Sequence, residues 1–340
     1  MATPELAPSR PGAARRLLRW LAVLALLVVL LAAALGAWCY RTASAALPQL
    51  DGSLRLTGLT APVAVTRDTQ GVPTIEAANL PDLFFAQGYV TAQDRLWEMD
   101  MTRRFAAGQM AEILGSDWIK HDREQRILGL EDRAQKGVAE LSSRDRTYLE
   151  AYAAGVNAFI AERRDHLPLE FRILRYAPRP WTTADSLVIE ANMVKELNHY
   201  SARVALEREK ILAKLGPELT SDLYPNSSWR DHPPGRDPKK MTQEPSPASG
   251  NAAPASSSLA WTSPPRMQLR PELGSNDWVV SGAHTASGKP LLSNDPHLGH
   301  QMPALWYEAH LKSGNFDVAG VTLPGTPTVI LGHNQRIAWG

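Results

Sequence analysis

Cysteine is almost absent from this sequence, and neither sign of charge is in excess. Cys39 is the only cysteine among 340 residues, so no disulfide can form within the chain and no cysteine-rich zinc site is encoded. The nine histidines are scattered without the spacing of a metal site. A formal net charge of +1 gives no reason to expect nucleic acid as a partner. What remains is a chain with 44% hydrophobic residues, enough for a large core or two domains.

Charge is also missing from the 21 residues of Trp20–Tyr40. At about 1.5 Å per helical residue this run spans roughly 30 Å, the thickness of the hydrocarbon core of a bilayer. Four arginines precede it and Arg41 alone follows closely, so the N-terminus is predicted in the cytoplasm and the rest outside, on the periplasmic side. The run is predicted to be a membrane anchor. The alternative is a signal segment cleaved after the Ala-Ser-Ala step at 43–45, which would release the protein into the periplasm.

Beyond the anchor, the pattern is typical of a mixed α and β region. Pro62–Ala77 holds two short β-rich runs around Gly71, a hairpin signal in which glycine can take a positive φ. Asn79 is predicted to cap a helix that runs, with a break, as far as Leu114. Further helices are predicted at Arg144–Arg163, Thr183–Leu197 and Ala205–Leu215, the last closed by Gly216-Pro217.

Composition changes abruptly between Asp231 and Pro265, where 21 of 35 residues are Pro, Ser, Ala or Gly. Few large apolar side chains are present to offset the entropy of ordering this segment, so it is predicted to be disordered or loosely draped. From Ser275 onward, apolar alternation separated by glycine and proline turns predicts an antiparallel sheet with covered faces. A serine preceded by Gly274 thus stands at the border between the two kinds of chain.

Five motifs, in order along the chain, carry a family resemblance. They are GYVTAQDRLWEMDMTRRFAAGQMAEILG (88–115), RPWTTADSL (179–187), GSNDWVVSG (274–282), LLSNDPHLG (291–299) and LGHNQRIAWG (331–340). Together they resemble the penicillin amidase (penicillin acylase) family of N-terminal nucleophile hydrolases. In that family a precursor cuts itself before a serine, a spacer peptide is removed, and the two chains form an αββα sandwich. The resemblance implies an α+β fold of this type, incomplete in this chain.

The resemblance also divides the chain into segments. Residues 1–19 are the cytoplasmic basic tail, 20–40 the anchor or signal segment, 41–229 a region like the family's α subunit, 230–274 the spacer, and 275–340 the truncated start of the β subunit. It implies a small-molecule amide substrate, either the acyl side chain of a penicillin- or cephalosporin-like compound or an acyl-homoserine lactone. No cofactor is required for this chemistry.

The chemistry of Ser275 supports the resemblance independently. A serine hydroxyl is a poor nucleophile near neutral pH and needs a base within hydrogen-bond reach. The α-amino group of an N-terminal serine, with a reference pKa of roughly 7.7 to 8.0, can accept the hydroxyl proton directly or through one water. That amine exists only if the bond between Gly274 and Ser275 is cut, and glycine leaves room for the serine oxygen to reach its carbonyl.

His297 is the second candidate catalytic residue. It follows Ser275 by 22 residues, where some family members acting on cephalosporin side chains or acyl-homoserine lactones carry histidine and the penicillin G acylases carry glutamine. The resemblance implies that it lies beside the nucleophile and orients it or a water. His284 and His300 have no motif support and are predicted to be surface residues.

Other parts of the family's machinery are not found here, and some charged residues have a structural interpretation. The oxyanion-hole donors are expected beyond Gly340, so the 340-residue chain is predicted to be inactive alone. A structural calcium is implied, but His199–Arg203 stand where its glutamate ligand is expected and Glu207 is interpreted as a surface residue, so no ligand is assigned. The motif residues Arg103, Arg104 and Glu112 are predicted to form a structural ion-pair network.

Two alternative functions fit fewer of these observations. A membrane-anchored extracytoplasmic binding or scaffold module, with an inactive hydrolase fold, would not need Ser275 and the glycine before it. A conventional Ser-His-Asp hydrolase would need a G-x-S-x-G elbow, which Gly274-Ser275-Asn276 does not fit.

Overall fold

The computed structural model describes residues 12–223, 275–299 and 301–340. The predicted spacer at 230–274, including Gly274, lies outside the described residues, as do His300 and residues 1–11 of the basic tail. The described parts comprise a long N-terminal helix, a group of helices packed on a six-stranded sheet, and a two-stranded hairpin.

The N-terminal helix, α1, covers Ala13–Ala46 and is longer than the charge-free run that predicted it. Its segment Arg15–Ala46 is long and apolar enough to cross a membrane. The apolar window is not buried against any other described part of the chain. A signal sequence has the same properties, so the helix is compatible with both the anchor and the signal segment.

Local turn and capping signals position the first elements of the folded region as predicted. β1 (Ala64–Arg67) and β2 (Pro73–Glu76) form an antiparallel hairpin, and Gly71 in its turn has a φ of +84°. Asn79 caps α2 (Leu80–Ala107), its side-chain oxygen accepting a hydrogen bond of 2.8 Å from a backbone N–H in the first turn.

The predicted break in this helical stretch is also present. Arg95, inside α2, has non-helical φ and ψ values of −138° and 16°. A left-handed Gly108 ends the helix, and the short α3 (Ala111–Leu114) completes the stretch. A single 3₁₀ turn, Ser116–Trp118, leads onward.

Five more helices follow: α4 (Ile119–Leu128), α5 (Leu130–Glu140), α6 (Ser143–Glu162), α7 (Leu169–Leu174) and α8 (Thr183–Leu223). The prediction of α6 is confirmed. Charged residues dominate α4 and α5, which explains why the apolar pattern did not predict them. The prediction of two helices in the α8 region is wrong, because residues 198–204 contain neither glycine nor proline to end the first. At Gly216 (φ +74°) the helix is interrupted and then resumes.

Two glycines set the separation of α2 and α6, which lie at the centre of the helical layer. A Cβ added to Gly88 would overlap the carbonyl of Tyr152, and one added to Gly155 would overlap the carbonyl of Phe85. Glycine is therefore needed at both positions for this close approach. The surrounding buried side chains form the main core, which includes Leu83, Leu96, Met99, Tyr152, Val156 and Phe171.

The main sheet has the strand order β1-β2-β5-β6-β7-β8. Its later strands are β5 (Tyr307–Ser313), β6 (Phe316–Thr322), β7 (Val329–Asn334) and β8 (Ala338–Trp339). Alternate residues of β5 are buried in the core shared with the helices. Neighbouring strands are antiparallel except β2 and β5, which run parallel with Ile75 opposite Leu311. The prediction of antiparallel pairing from Ser275 onward is confirmed for the strand pairs formed within that region. The parallel pair joins β5 to β2, which that prediction did not include, and the helical region supplies the long crossover that parallel strands require.

Strands β3 (Ser275–Val280) and β4 (Leu291–Pro296) pair only with each other among the described residues. Their antiparallel pairing confirms one part of the prediction. The prediction of covered faces is wrong for this hairpin, because Trp278 and Val279, on opposite faces, are 55% and 64% exposed. The main sheet does not extend over β3, and the described residues leave Trp278 and Val279 exposed on the two faces of the hairpin.

Candidate active site

Ser275 is the first residue of β3 and lies opposite Pro296 of β4. Its side chain is exposed, and its hydroxyl makes no hydrogen bond within the described residues. The position therefore provides an accessible oxygen at the end of a strand. Its role as nucleophile stays a prediction.

His297 follows the last residue of β4, so it lies at the same end of the hairpin as Ser275. Its Nε2 lies 2.8 Å from Oδ2 of Asp295 and 3.4 Å from Nδ2 of Asn276. Consecutive strand residues point to opposite faces, so this group is on the face of Asn276 rather than that of Ser275. Within the described residues no hydrogen bond joins His297 to Ser275, and the role of His297 also stays a prediction.

Two identical Ser-Asn-Asp triplets bring these polar residues together. They begin β3 and lie within β4, and the antiparallel register places Asn276 opposite Asp295 and Asp277 opposite Asn294. Sequence reasoning missed Asn276, Asn294 and Asp295. The repeated triplet, in two segments with strand periodicity, was the signal that could have identified them.

Asn294 links the hairpin to the main sheet. Its Nδ2 donates to the backbone carbonyl of Asn276 at 3.4 Å, while its Oδ1 is buried and has no hydrogen-bond partner among the described residues. Gly340, just after β8, packs against it, since a Cβ added there would lie 2.7 Å from the Cβ of Asn294. The end of the main sheet therefore lies beside the strand that leads to His297.

The ion-pair network predicted for Arg103, Arg104 and Glu112 is confirmed, and it joins α2 to α3. Arg103 is 1% exposed, pairs with Asp100 at 2.5 Å and with Asp185 at 3.3 Å, and lies over the ring of Trp181. Arg104 pairs with Asp100 at 3.0 Å and with Glu112 at 2.9 Å. Burial raises the pKa of Asp185, but hydrogen bonds and charge from Arg179 and Arg103 outweigh burial and leave the pKa lowered. These buried charges have partners within the fold.

A second charged cluster ties α2 to the loop between β4 and β5. Arg95, at the helix break, donates to Glu98 at 2.7 Å and to the carbonyl of Ala304 at 2.8 Å. Tyr307 donates to Asp94 at 2.6 Å. Burial raises the pKa of Glu98 to about 7, against the opposing effect of the Arg95 charge. Hydrogen bonds with residues at the helix break thus hold Ala304 and Tyr307 in place, just before and at the start of β5.

The remaining predictions concern His284, His300 and a structural calcium. His284 is exposed, as predicted, and His300 lies outside the described residues. No group of three or more histidine, cysteine, aspartate or glutamate side chains is placed to hold a metal ion in the described part of the chain. No calcium site is assigned, and the calcium stays an expectation from the resemblance.

Comparisons with known proteins agree with the motifs. A family model described as penicillin amidase matches residues 62–340. Penicillin acylase 2 proenzyme of Pseudomonas sp. strain SE83 is 34% identical over 299 residues, covering 87% of this chain and 38% of the relative. Acyl-homoserine lactone acylase QuiP of Pseudomonas aeruginosa is 30% identical over 305 residues, covering 86% of this chain and 34% of the relative. The chain therefore spans little more than a third of the length of these relatives.

A solved penicillin G acylase from Alcaligenes faecalis is also similar. It is 30% identical in sequence and superposes with a TM-score of 0.42. The superposition covers 55% of this chain and 98% of that one.

Proposed function

The chain belongs to the penicillin amidase family, and from this premise we propose that the full-length protein is an acylase that hydrolyses a linear amide. The family match includes both hairpin strands and the serine at the start of β3. The exposed position of Ser275 at a strand end is the observation that carries the proposal. Activity is assigned to the longer protein because this chain spans little more than a third of its relatives.

The proposed mechanism begins with self-cleavage between Gly274 and Ser275. The released α-amino group of Ser275 then accepts the proton of its own hydroxyl, directly or through a water. The hydroxyl oxygen attacks the amide carbon, the leaving amine takes the proton, and an acyl ester of the serine remains. Water then hydrolyses the ester and regenerates the free serine.

The proposed substrate is a small molecule with an acyl group on an amide nitrogen. Two relatives are named as a penicillin acylase and an acyl-homoserine lactone acylase, and both names describe this class of bond. Either the side chain of a penicillin- or cephalosporin-like compound or an acyl-homoserine lactone fits the proposal. His297 would orient the serine or a water, and its histidine favours the cephalosporin or lactone class by family position.

The proposed architecture and location follow from the same premise. The helices packed on one side of a mixed sheet support an αββα sandwich completed by residues of the full-length protein. The apolar α1 supports a membrane anchor with the catalytic region on the periplasmic side, or a signal segment for export to the periplasm.

Processing at Ser275 gives the most direct test. In the full-length protein, N-terminal sequencing of the mature chains should find one that starts Ser-Asn-Asp-Trp, and Ser275→Ala should accumulate as an uncut, inactive precursor. Ser281→Ala, in the same motif after the strand, is the control and should mature normally. Active enzyme with the Gly274–Ser275 bond intact would overturn the mechanism. An uncut and inactive wild-type protein would favour a scaffold with an inactive hydrolase fold.

A further inference from the structure

One ring nitrogen of His297 is close to two groups that require opposite protonation. Nε2 lies 2.8 Å from Oδ2 of Asp295 and 3.4 Å from Nδ2 of Asn276. A carboxylate oxygen accepts hydrogen bonds, so the first contact requires a proton on Nε2. An amide nitrogen only donates, so the second would require an Nε2 without a proton. A neutral imidazole cannot satisfy both.

The distances decide between these two tautomers. A hydrogen bond from nitrogen to a carboxylate is typically about 2.7–2.9 Å long, which fits the contact with Asp295. The contact with Asn276, at 3.4 Å, is longer than the usual N–H···O range of about 2.7–3.2 Å. Rotating the Asn276 amide by half a turn would place its oxygen there, an acceptor that agrees with a protonated Nε2. Nδ1 is then the nitrogen that carries the lone pair.

We propose that Asp295 is a positioning residue that acts through His297. Its carboxylate accepts a hydrogen bond from Nε2–H and so favours the tautomer with the proton on Nε2. In that tautomer Nδ1 accepts a hydrogen bond from the α-amino group of Ser275 or from a water beside it. This inference rests on the proposed function, since it needs a serine with a free amine. In the described part of the chain Nδ1 makes no hydrogen bond, so nothing there competes for its lone pair.

The strand register makes Asp295 well placed for this role. It lies opposite Asn276, the residue directly after the candidate nucleophile, and it precedes His297 by two residues on the same face. The side chain of Asp295 is 69% exposed and that of His297 32% exposed, so solvent weakens the interaction. A loss of about fivefold in kcat, equivalent to ~1 kcal/mol of barrier, is therefore expected when the carboxylate is removed.

A double-mutant cycle on the full-length enzyme tests the proposal. The four proteins are the wild type, Asp295→Asn, His297→Gln and the double variant, and kcat and KM are measured on a chromogenic anilide per mole of matured chain. Asp295→Asn should lower kcat about fivefold with little change in KM, and should have no further effect in the His297→Gln background. An equal loss in both backgrounds, or no loss in either, would overturn the role of Asp295.

Two further variants keep the result interpretable. Asp317→Asn breaks a similar pair in the main sheet, where Nε2 of His310 lies 2.5 Å from Asp317, and it should leave kcat unchanged. If Asp295→Asn does not mature, Asp295→Glu takes its place in the cycle. Asp295→Glu keeps the carboxylate on a longer side chain, so kcat should fall by less than in Asp295→Asn. This loss of kcat should disappear in the His297→Gln background, and a loss that persists there would overturn the role of Asp295. Activity that survives Ser275→Ala would instead overturn the proposed function.

Discussion

The helical layer and the β3–β4 hairpin differ in which side chains they bury and which they expose. Among the helices, Arg103 is buried between Asp100 and Asp185, so the buried positive charge is paired with two buried carboxylates. In the hairpin, Trp278 stands in solvent while Oδ1 of Asn294 is buried without a partner in the described residues. The helical layer therefore supplies the stability of the described fold, and the candidate nucleophile lies on the less constrained region.

Two tryptophans provide the sharpest test of this contrast. Trp181 is 2% exposed and covers Arg103, whereas Trp278 is 55% exposed. Trp181→Ala should lower the free energy of unfolding by about 3–5 kcal/mol because it leaves a cavity, and Trp278→Ala by less than about 0.5 kcal/mol. Urea unfolding of the 340-residue chain in detergent, followed by circular dichroism, measures both. Equal losses would contradict the comparison, and a large loss for Trp278→Ala in the longer protein alone would show that later residues cover it.

The buried carboxyl of Glu98 should make the helical layer sensitive to pH. Burial raises its pKa from an ordinary 4.5 to about 7, so between these values the folded state holds a proton that the unfolded state has released. The free energy of unfolding is therefore expected to fall as pH rises through this window, by roughly 3 kcal/mol in all. Glu98→Gln should remove most of the fall.

Urea unfolding at a series of pH values measures this effect. Glu140→Gln, an exposed residue at the end of α5, is the control and should keep the wild-type slope. Parallel curves for the wild type and Glu98→Gln across the window would mean that the carboxyl is not buried as described.

The contact between α2 and α6 gives a smaller effect with a matched control. Gly155→Ala should lower the free energy of unfolding by about 1–3 kcal/mol, because the added methyl overlaps the carbonyl of Phe85. Gly137→Ala, in α5, meets only a methyl of Leu187 at 3.7 Å and should raise stability by about 0.5–1 kcal/mol through helix propensity. Thermal unfolding of both variants should show shifts of opposite sign. A stabilised Gly155→Ala would show that the helices are further apart.

Features with a local chemical cause were predictable from the sequence. Asn79 caps its helix with its own side chain, and Gly71 supplies the positive φ of its turn, so a few neighbouring residues determine each outcome. The family motifs likewise single out Ser275 and His297 by position, and the roles of both residues stay predictions. The motifs could not indicate that His297 would lie with Asp295 on the face opposite the serine, because that depends on strand register.

Features that join distant segments were not predictable in the same way. The parallel pairing of Ile75 with Leu311 connects strands separated by the helical region and the predicted spacer, and neither strand carries a local signal for its partner. The ties from Arg95 to Ala304 and from Tyr307 to Asp94 also depend on the folded arrangement. The short helix α5 was missed because it has few large apolar side chains and many charged ones, and its position depends on packing of Leu130 and Ala134 against Val188 of α8.

The parallel pairing of β2 with β5 has a further consequence if the proposed cleavage takes place. The two strands would then belong to different polypeptides that share one sheet, with the backbone N–H of Ala77 still donating to the carbonyl of Lys312 at 3.0 Å. Before cleavage, the covalent link between the strands gives each a high effective concentration for the other. After cleavage this link is absent, and the two chains must meet by diffusion. Folding of the precursor would therefore be a first-order process, whereas recovery of the denatured mature protein would depend on protein concentration. Maturation would make the folded state one that its separated chains could not readily regain in dilute solution.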